Sequence, residues 1–144
     1  MREVADTHRA LFPGNEERYG ENPRGKIERC FAVTDDEVAA AVRKRALYRE
    51  RAEEALDGLH LLLTPTTAFV APPDDVDELE IRVRGISLTY PFDSLGWPAL
   101  ALPCGPAEDG LPASVQLAGR VGDDARVLAA GRLLASLLRG TAPA

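Results

Sequence analysis

Cysteine and histidine are both scarce in this sequence. The 144 residues include two cysteines, Cys30 and Cys104, and two histidines. The two thiols lie far apart in the chain, so no disulfide framework is indicated. Two cysteines and two histidines at these spacings do not match the ligand pattern of a zinc site. We therefore predict no metal, no cofactor, and a reducing, cytoplasmic location.

Basic residues in excess and long apolar runs are also lacking. The formal net charge is −6, whereas a phosphate-binding face needs clustered lysine and arginine. No apolar run approaches the roughly 20 residues that a membrane-spanning helix needs. The first ten residues lack the apolar centre of a secretory signal. Neither a nucleic acid nor a membrane is therefore predicted as a partner.

The motifs of a self-sufficient catalyst are missing as well. No serine lies in a G-x-S-x-G turn, and no G-x-G-x-x-G loop is present. Lys26 and Lys44 occur in charged helical stretches, without the burial that makes a lysine a base near neutral pH. Cys104 has no base or cation close in sequence to activate its thiol, so we interpret it as a small buried apolar residue. We assign no catalytic residue, and we interpret the four serines as structural: Ser87, Ser94, Ser114 and Ser136.

The composition that remains is that of one globular domain, which we place at residues 1–144. Hydrophobic residues make up 45% and charged residues 28%. Residues 4–12 predict a first helix, and Pro23 begins a second. The run Thr34-Asp35-Asp36-Glu37 has the pattern of a capping box, which predicts a long helix that ends near Gly58.

Short apolar runs predict three strands. The leucines within residues 59–64 stand between Gly58 and Pro65, which indicates a strand buried on both faces, as in a parallel sheet. Residues 98–104 and 113–118 predict two more strands, joined as a hairpin by the turn-forming sequence GPAEDG. Together these elements predict an α/β fold with a partial mixed sheet and packing helices.

Two further segments complete the secondary-structure prediction. Apolar and charged residues alternate from Leu79 to Arg84, and a period of two favours a half-exposed strand. A helix is expected from about Ile86 onward. The final helix opens at Asp123-Asp124, and the last four residues, TAPA, are expected to fray. The apolar face of that helix is predicted to comprise Val127, Leu128, Gly131, Leu134 and Leu138.

Several short motifs follow one another in a fixed order along the second half of the chain. They are LLLTPTT at residues 61–67; Thr89, Pro91, Leu95-Gly96, Pro98-Ala99 and Pro103-Cys104-Gly105; Gly110-Leu111-Pro112, Gln116-Leu117 and Gly119; and Asp123-Asp124. In this order they resemble the C-terminal part of the amidase signature family, amide hydrolases with a Ser–cis-Ser–Lys triad. The resemblance covers nearly the whole chain. It also implies a loop and then a helix in the segment around Leu79 to Arg84, where the alternation favours a strand. The secondary structure of that segment is therefore left open.

The resemblance implies a carbon–nitrogen hydrolase of small carboxamides, of which this sequence is the C-terminal portion. The family's serine- and glycine-rich catalytic segment and its lysine are not among these residues. The portion is therefore not expected to catalyse alone. The apolar strands at 61–63 and 100–102 lack the strands that would flank them, which predicts association as a homodimer or with an upstream catalytic half. The other hypothesis is a non-enzymatic interaction module or degenerate amidase remnant that associates through its sheet.

The resemblance also points to a wall of the substrate pocket. We predict that Tyr90, Asp93 and Trp97 bind substrate, since an aromatic pair beside one polar group suits a mostly apolar cleft. Core positions for Tyr90 and Trp97 are an equally open interpretation. Asp93 departs from the asparagine usual in the family. Residues 86–88 replace an acid that amidotransferase subunits tend to have there, which argues against glutamine as the substrate.

Overall fold

The computed structural model describes residues 1–140, and the predicted frayed tail at 141–144 lies outside the described residues. The described chain has two compact units, Met1–Leu47 and a second that begins at Tyr48. A single domain over residues 1–144 stays a prediction. No helix within residues 1–140 is both long and apolar enough to cross a membrane.

Two α-helices follow one another at the start of the first unit. Helix α1 spans Arg2–His8 and α2 spans Glu21–Phe31. The Phe12 ring, between the helices in sequence, lies with its centroid 5.2 Å from that of Tyr19 and 5.8 Å from that of Phe31. This aromatic contact joins the end of α2 to the turn after α1.

The capping box predicted at the start of the long helix is confirmed. Helix α3 spans Asp35–Ala55. The backbone N–H of Glu37 donates to Thr34 Oγ1 at 3.2 Å, and the backbone N–H of Thr34 donates to Glu37 Oε2 at 2.8 Å. The hydrogen bonds from the Thr34 backbone and hydroxyl lower the pKa of the Glu37 carboxyl below its ordinary value, because they favour its charged form. Gly58, with φ of +73°, lies just beyond the helix, as predicted.

Three strands form one sheet in the described part of the second unit. Strand β1 spans Leu62–Pro65, β2 spans Ala99–Pro106 and β3 spans Pro112–Ala118. The strand order is β1-β3-β2, and both pairings are antiparallel. The α/β fold class and the predicted β2–β3 hairpin are therefore confirmed, whereas the predicted mixed sheet is wrong because both pairings of the described strands are antiparallel.

The parallel, doubly buried environment predicted for the leucine strand is wrong. Burial alternates along β1, and Leu63 is 55% exposed. The strand covered on both sides is β3, where Gln116, Leu117 and Ala118 are consecutive buried residues. A run of leucines signals apolar character, but it does not specify the direction of the partner strand or the position in the sheet.

The segment with alternating residues is a helix, so the strand interpretation is wrong. Helix α4 spans Glu78–Ile86, and the Asp77 carboxylate caps it by accepting from the Leu79 N–H at 2.9 Å. Residues two apart in a helix are about 200° apart around its axis. Leu79 and Ile81 therefore lie on opposite sides of α4, so a period of two also fits a helix with two apolar faces.

One side of α4 packs on the loop that follows β1. The guanidinium of Arg84 lies 5.4 Å from the centroid of the Phe69 ring, within the range of a cation–π contact. A Cβ built on Gly85 would be 3.7 Å from the edge of the same ring. The opposite side carries Leu79, Val83 and Ile86, which are 48%, 76% and 41% exposed. We call these three residues the outer face of α4.

Helices cover both faces of the sheet. Helix α5 spans Tyr90–Leu95 and α6 spans Asp124–Gly140. Side chains alternate between the two faces along a strand. Helix α6 covers the face that carries the Leu100 side chain, because a Cβ on Gly131 would be only 2.2 Å from Leu100 Cδ2. Leu128 is 51% exposed, so its predicted place on the packed face of α6 is wrong. The other side of the sheet carries the hydrophobic core, formed by Leu56, Phe92, Leu95, Trp97 and Ala118.

Arg120 connects the end of α3 to the loop after β3. Its Nε lies 2.7 Å from Glu53 Oε2, and its Nη1 donates to the Leu59 carbonyl at 2.9 Å. Its Nη2 donates to the Leu56 carbonyl at 2.5 Å. These contacts satisfy carbonyls near a helix C-terminus, where no intrahelical partner is available.

Candidate functional site

The candidate site is the short helix α5 and the turn that leads from it into β2. Pro91 lies in the first turn of α5, where a missing N–H costs no intrahelical bond. Gly96 ends the helix in the left-handed region, with φ of +71°. The N–H of Trp97 then donates to the Phe92 carbonyl at 3.0 Å. This sequence of proline, helical turn and glycine reverses the chain onto the edge strand β2.

The structure separates the three predicted substrate-binding residues into two groups. Tyr90 is 60% exposed, and Asp93 is also exposed. These residues are three apart in α5 and therefore lie on neighbouring positions of one helix face. Trp97 is only 7% exposed and belongs to the core. Its ring stacks on Phe92 with centroids 6.5 Å apart. The core environment fits Trp97 and does not fit Tyr90.

The Asp93 carboxylate is the charged group on the exposed face of α5. Within residues 1–140, no lysine, arginine or histidine forms an ion pair with it. An ionised carboxylate accepts hydrogen bonds and donates none. Beside the exposed phenol of Tyr90, it gives α5 an acceptor and an aromatic surface on the same face.

Gln116 is a residue whose importance the sequence interpretation did not recognise. It is 3% exposed, the one buried polar or charged residue within the described chain. Its Nε2 donates to Thr64 Oγ1 at 3.0 Å, to the Pro65 carbonyl at 3.2 Å and to the Leu88 carbonyl at 2.7 Å. A glutamine between Val115 and Leu117 in an apolar strand is the signal that could have identified it, since buried amides need partners.

A concave feature lies at the far end of the hairpin. A groove of about 360 Å³ runs between the loop after β1 and the turn between β2 and β3. Cys104 and Ser114 both line it, and no lysine or histidine is among its lining residues in the described chain. Cys104 is exposed, so the predicted buried environment is wrong. The β2–β3 register shifts between Pro103 and Gly105, and such a bulge leaves the residue at the irregularity without a regular cross-strand partner.

The described residues offer no set of metal ligands. Within residues 1–140, no three histidine, cysteine, aspartate or glutamate side chains come together as a metal site requires. Cys30 and Cys104 are both free thiols.

The described residues thus form an α/β protein with an exposed polar and aromatic face on a short helix. The family model described as Amidase matches residues 11–128. The chain belongs to the amidase family. The solved structure of an amidase is similar to it with a TM-score of 0.87 and 33% identity, over 94% of this chain and 32% of that amidase.

Two further relatives are components of glutamyl-tRNA(Gln) amidotransferases. The A subunit of this amidotransferase from Synechococcus sp. (strain CC9902) is 36% identical over 120 residues, which are 78% of this chain and 24% of that protein. The structure of the corresponding subunit from Thermotoga maritima matches with a TM-score of 0.61 and 25% identity, over 85% of this chain and 27% of that one. The chain thus covers between 24% and 32% of the length of these relatives.

Proposed function

We propose that this chain is the C-terminal portion of a carbon–nitrogen hydrolase that acts on small carboxamides, and that it does not catalyse alone. The observation that carries the proposal is the match to a solved amidase over 94% of this chain and 32% of that one, with a TM-score of 0.87. The 144 residues do not include the Ser–cis-Ser–Lys segment of the family. Without a nucleophile, covalent catalysis is not available to the chain by itself.

We propose that Tyr90, Asp93 and Trp97 form the wall of the substrate pocket, with different roles. The exposed Tyr90 ring packs against the apolar part of the substrate, and the Asp93 carboxylate accepts from its N–H groups. Trp97 supports the wall from the core side, where its ring stacks on Phe92. An aspartate in place of the usual asparagine favours a donor-rich or cationic substituent, because a carboxylate cannot donate a hydrogen bond at neutral pH.

We further propose that the outer face of α4 is where a catalytic portion binds. A helix that is apolar on opposite sides is one that packs between two partners. The inner side of α4 contacts Phe69, whereas Val83 on the outer face is 76% exposed. Burial of an aliphatic side chain stabilises by about 1.5–3 kcal/mol when complete. Three such side chains can therefore contribute several kcal/mol to an association.

Sedimentation velocity of the pure chain at micromolar concentration tests the association. We expect a two-fold homodimer in the absence of a catalytic portion, because that is the commonest closed assembly. Val83→Asp should convert the dimer to a monomer. Val121→Asp is the matched control, because Val121 is 71% exposed and lies in the segment before α6 rather than on the outer face of α4. A monodisperse, well-folded monomer of the unaltered chain would contradict this part of the proposal.

The pocket wall is tested in the assembled enzyme. The catalytic portion is the upstream part of the solved amidase relative, produced without its own counterpart of these residues. In the mixture, Tyr90→Ala should raise KM for an aromatic carboxamide with little change in kcat, since a residue that binds the ground and transition states equally affects KM. Ser136→Ala, in α6, is the control and should leave both constants unchanged. Equal kinetics for the unaltered chain and Tyr90→Ala would contradict the wall.

One observation favours the alternative of an interaction module. Strand β1 is an edge strand of the described sheet, and Leu63 on it is 55% exposed. An exposed apolar edge is a template for pairing with another chain. If the chain is such a module, the dimer will persist in Val83→Asp and dissociate in Leu63→Lys, and no mixture will hydrolyse amides.

A further inference from the structure

Gln116 lies at the junction of the sheet and the pocket wall. It is in the central strand β3, opposite Thr64 on β1 and Ala101 on β2. The alternation of side chains puts it on the same side of the sheet as Ala118, which is the side that carries the core and α5. A buried primary amide in such a place must find partners for its N–H groups, because an unpaired buried donor is costly.

The hydrogen bonds of Gln116 join segments that are distant in sequence. Its amide nitrogen carries two hydrogens and has three acceptors within 3.2 Å, so at least one hydrogen is shared. Two acceptors are on β1, at Thr64 and Pro65. The shortest bond, 2.7 Å, goes to the carbonyl of Leu88, in the turn just before α5. One side chain therefore connects β1, β3 and the start of the pocket wall.

The turn before α5 is otherwise held by its own backbone. The N–H of Thr89 donates to the Ile86 carbonyl at 3.2 Å, and the N–H of Phe92 donates to the Thr89 carbonyl at 3.1 Å. In the described chain, the hydrogen bonds of residues 86–92 join residues within the range 82–97, apart from the bond from Gln116. The polar connection from this turn to the sheet is thus the single Gln116–Leu88 bond.

We propose that Gln116 is a positioning residue that fixes the Leu88–Thr89 turn on the sheet and so sets the position of Tyr90 and Asp93. A glutamine is suited to this role because all three of its partners accept hydrogen bonds. A carboxylate at the same position would face three oxygen acceptors with no hydrogen to donate. A methionine would fill similar space and make none of the bonds. The consequence for substrate binding rests on the proposed function, whereas the order of the turn does not.

Hydrogen exchange of the isolated chain tests the position of the turn. In Gln116→Met, we expect the backbone amides of residues 89–95 to exchange about tenfold faster, since one net buried hydrogen bond is lost. The amides of the β2–β3 hairpin should change much less. Leu117→Ala is the control, because Leu117 is buried on the adjacent position of β3 and points to the other face. It should accelerate exchange across the hairpin and the turn alike.

Two results would overturn the inference. One is unchanged protection of residues 89–95 in Gln116→Met, and the other is a uniform acceleration that matches Leu117→Ala. If Gln116→Met fails to fold, a measurement on the unaltered chain still tests the inference. Gln116 is the only glutamine of the chain, so its side-chain NH₂ is identified by its correlation with a glutamine Cγ, which the two asparagines lack. The side-chain N–H groups of Gln116 should exchange with water at least tenfold more slowly than those of Asn15, which donate an exposed hydrogen bond to the Leu11 carbonyl. Equal exchange would contradict the buried bonds.

The kinetic consequence separates this inference from the proposed function. In the assembled enzyme, Gln116→Met should raise KM more than it lowers kcat, because the wall is displaced while the nucleophile is elsewhere. If no mixture hydrolyses amides but residues 89–95 lose protection in Gln116→Met, the proposed function fails and the positioning role stands. If the mixture is active and Gln116→Met leaves both KM and the protection unchanged, the positioning role fails alone.

Discussion

The close approach of α6 to the sheet makes Gly131→Ala a sharp test of the packing. A Cβ at this position would lie 2.2 Å from Leu100 Cδ2 and 3.5 Å from Leu100 Cγ. Carbon atoms in contact prefer separations of about 3.5–4.0 Å. The added methyl group therefore requires a movement of more than about 1 Å, either of the Leu100 side chain or of the helix.

The expected change in stability is a balance of two opposing effects. Alanine in a helix interior is favoured over glycine by about 0.5–1 kcal/mol. An extra carbon in a well-packed interior costs about 1–3 kcal/mol through displaced side chains. Because the contact at Leu100 is so short, we expect the packing cost to exceed the helix preference. Gly131→Ala should lower the free energy of unfolding by about 0.5–2 kcal/mol.

Urea unfolding followed by tryptophan fluorescence measures this change. Trp97 is the only tryptophan, and it lies in the core of the second unit. Gly85→Ala is the matched control in the same unit, because a Cβ there would make an ordinary contact of 3.7 Å with Phe69. That variant should be stabilised by up to about 1 kcal/mol. In a Leu100→Ala background, Gly131→Ala should lose its cost, since the two sites are coupled. Stabilisation by Gly131→Ala in the unaltered background would refute the packing of α6 described above.

Three further predictions concern the core, a helix-end arginine and the capping box. Trp97→Ala should lower the free energy of unfolding by about 3–5 kcal/mol, as truncations of buried aromatic residues do. Tyr90→Ala should change it by less than about 0.5 kcal/mol, because that side chain is exposed. Urea unfolding followed by circular dichroism compares the two variants. Arg120→Met should cost about 1–3 kcal/mol in the same assay, since charged hydrogen bonds to two carbonyls are lost, and an unchanged midpoint would contradict those bonds. The Glu37 pKa is lowered in the folded chain, so the contribution of this carboxylate to stability is complete above its unfolded pKa and is lost as pH falls through the folded pKa. A ¹³C titration of the carboxyl group should show the lowered pKa. Thr34→Ala should return the Glu37 pKa toward its ordinary value.

Elements with local signals could be predicted from the sequence, and those fixed by distant partners could not. The capping box at Thr34 and the β2–β3 hairpin depend on residues close in sequence, and both are confirmed. The direction of β1 depends on β3, whose Gln116 pairs with Thr64 more than fifty residues earlier. The alternation from Leu79 onward was consistent with two structures, and the Asp77 cap and the contact with Phe69 favour the helix.

The substrate-binding role of the candidate site stays a prediction, and the structure describes the environments of its side chains. The resemblance pointed to residues around α5, but an aromatic residue suits a core and a pocket equally. Proximity to Phe92, which no sequence pattern reports, decides the environment of Trp97. The exposure of Cys104 follows from a register shift, which depends on the exact pairing of β2 with β3. Gln116 matched a family motif, yet its role becomes visible only when Leu88 is seen beside it.

A side-by-side assay of carboxamide hydrolysis tests the central claim most directly. The pure chain is assayed alone and after addition of the upstream catalytic portion of the amidase relative. We predict no turnover above the uncatalysed reaction for the chain alone, and hydrolysis in the mixture that the catalytic portion by itself does not show. Turnover by the chain alone that Ser114→Ala or Cys104→Ala abolishes would contradict the account, because both side chains line the groove to which no catalysis is assigned. An inactive mixture of well-folded, associated parts would contradict it as well.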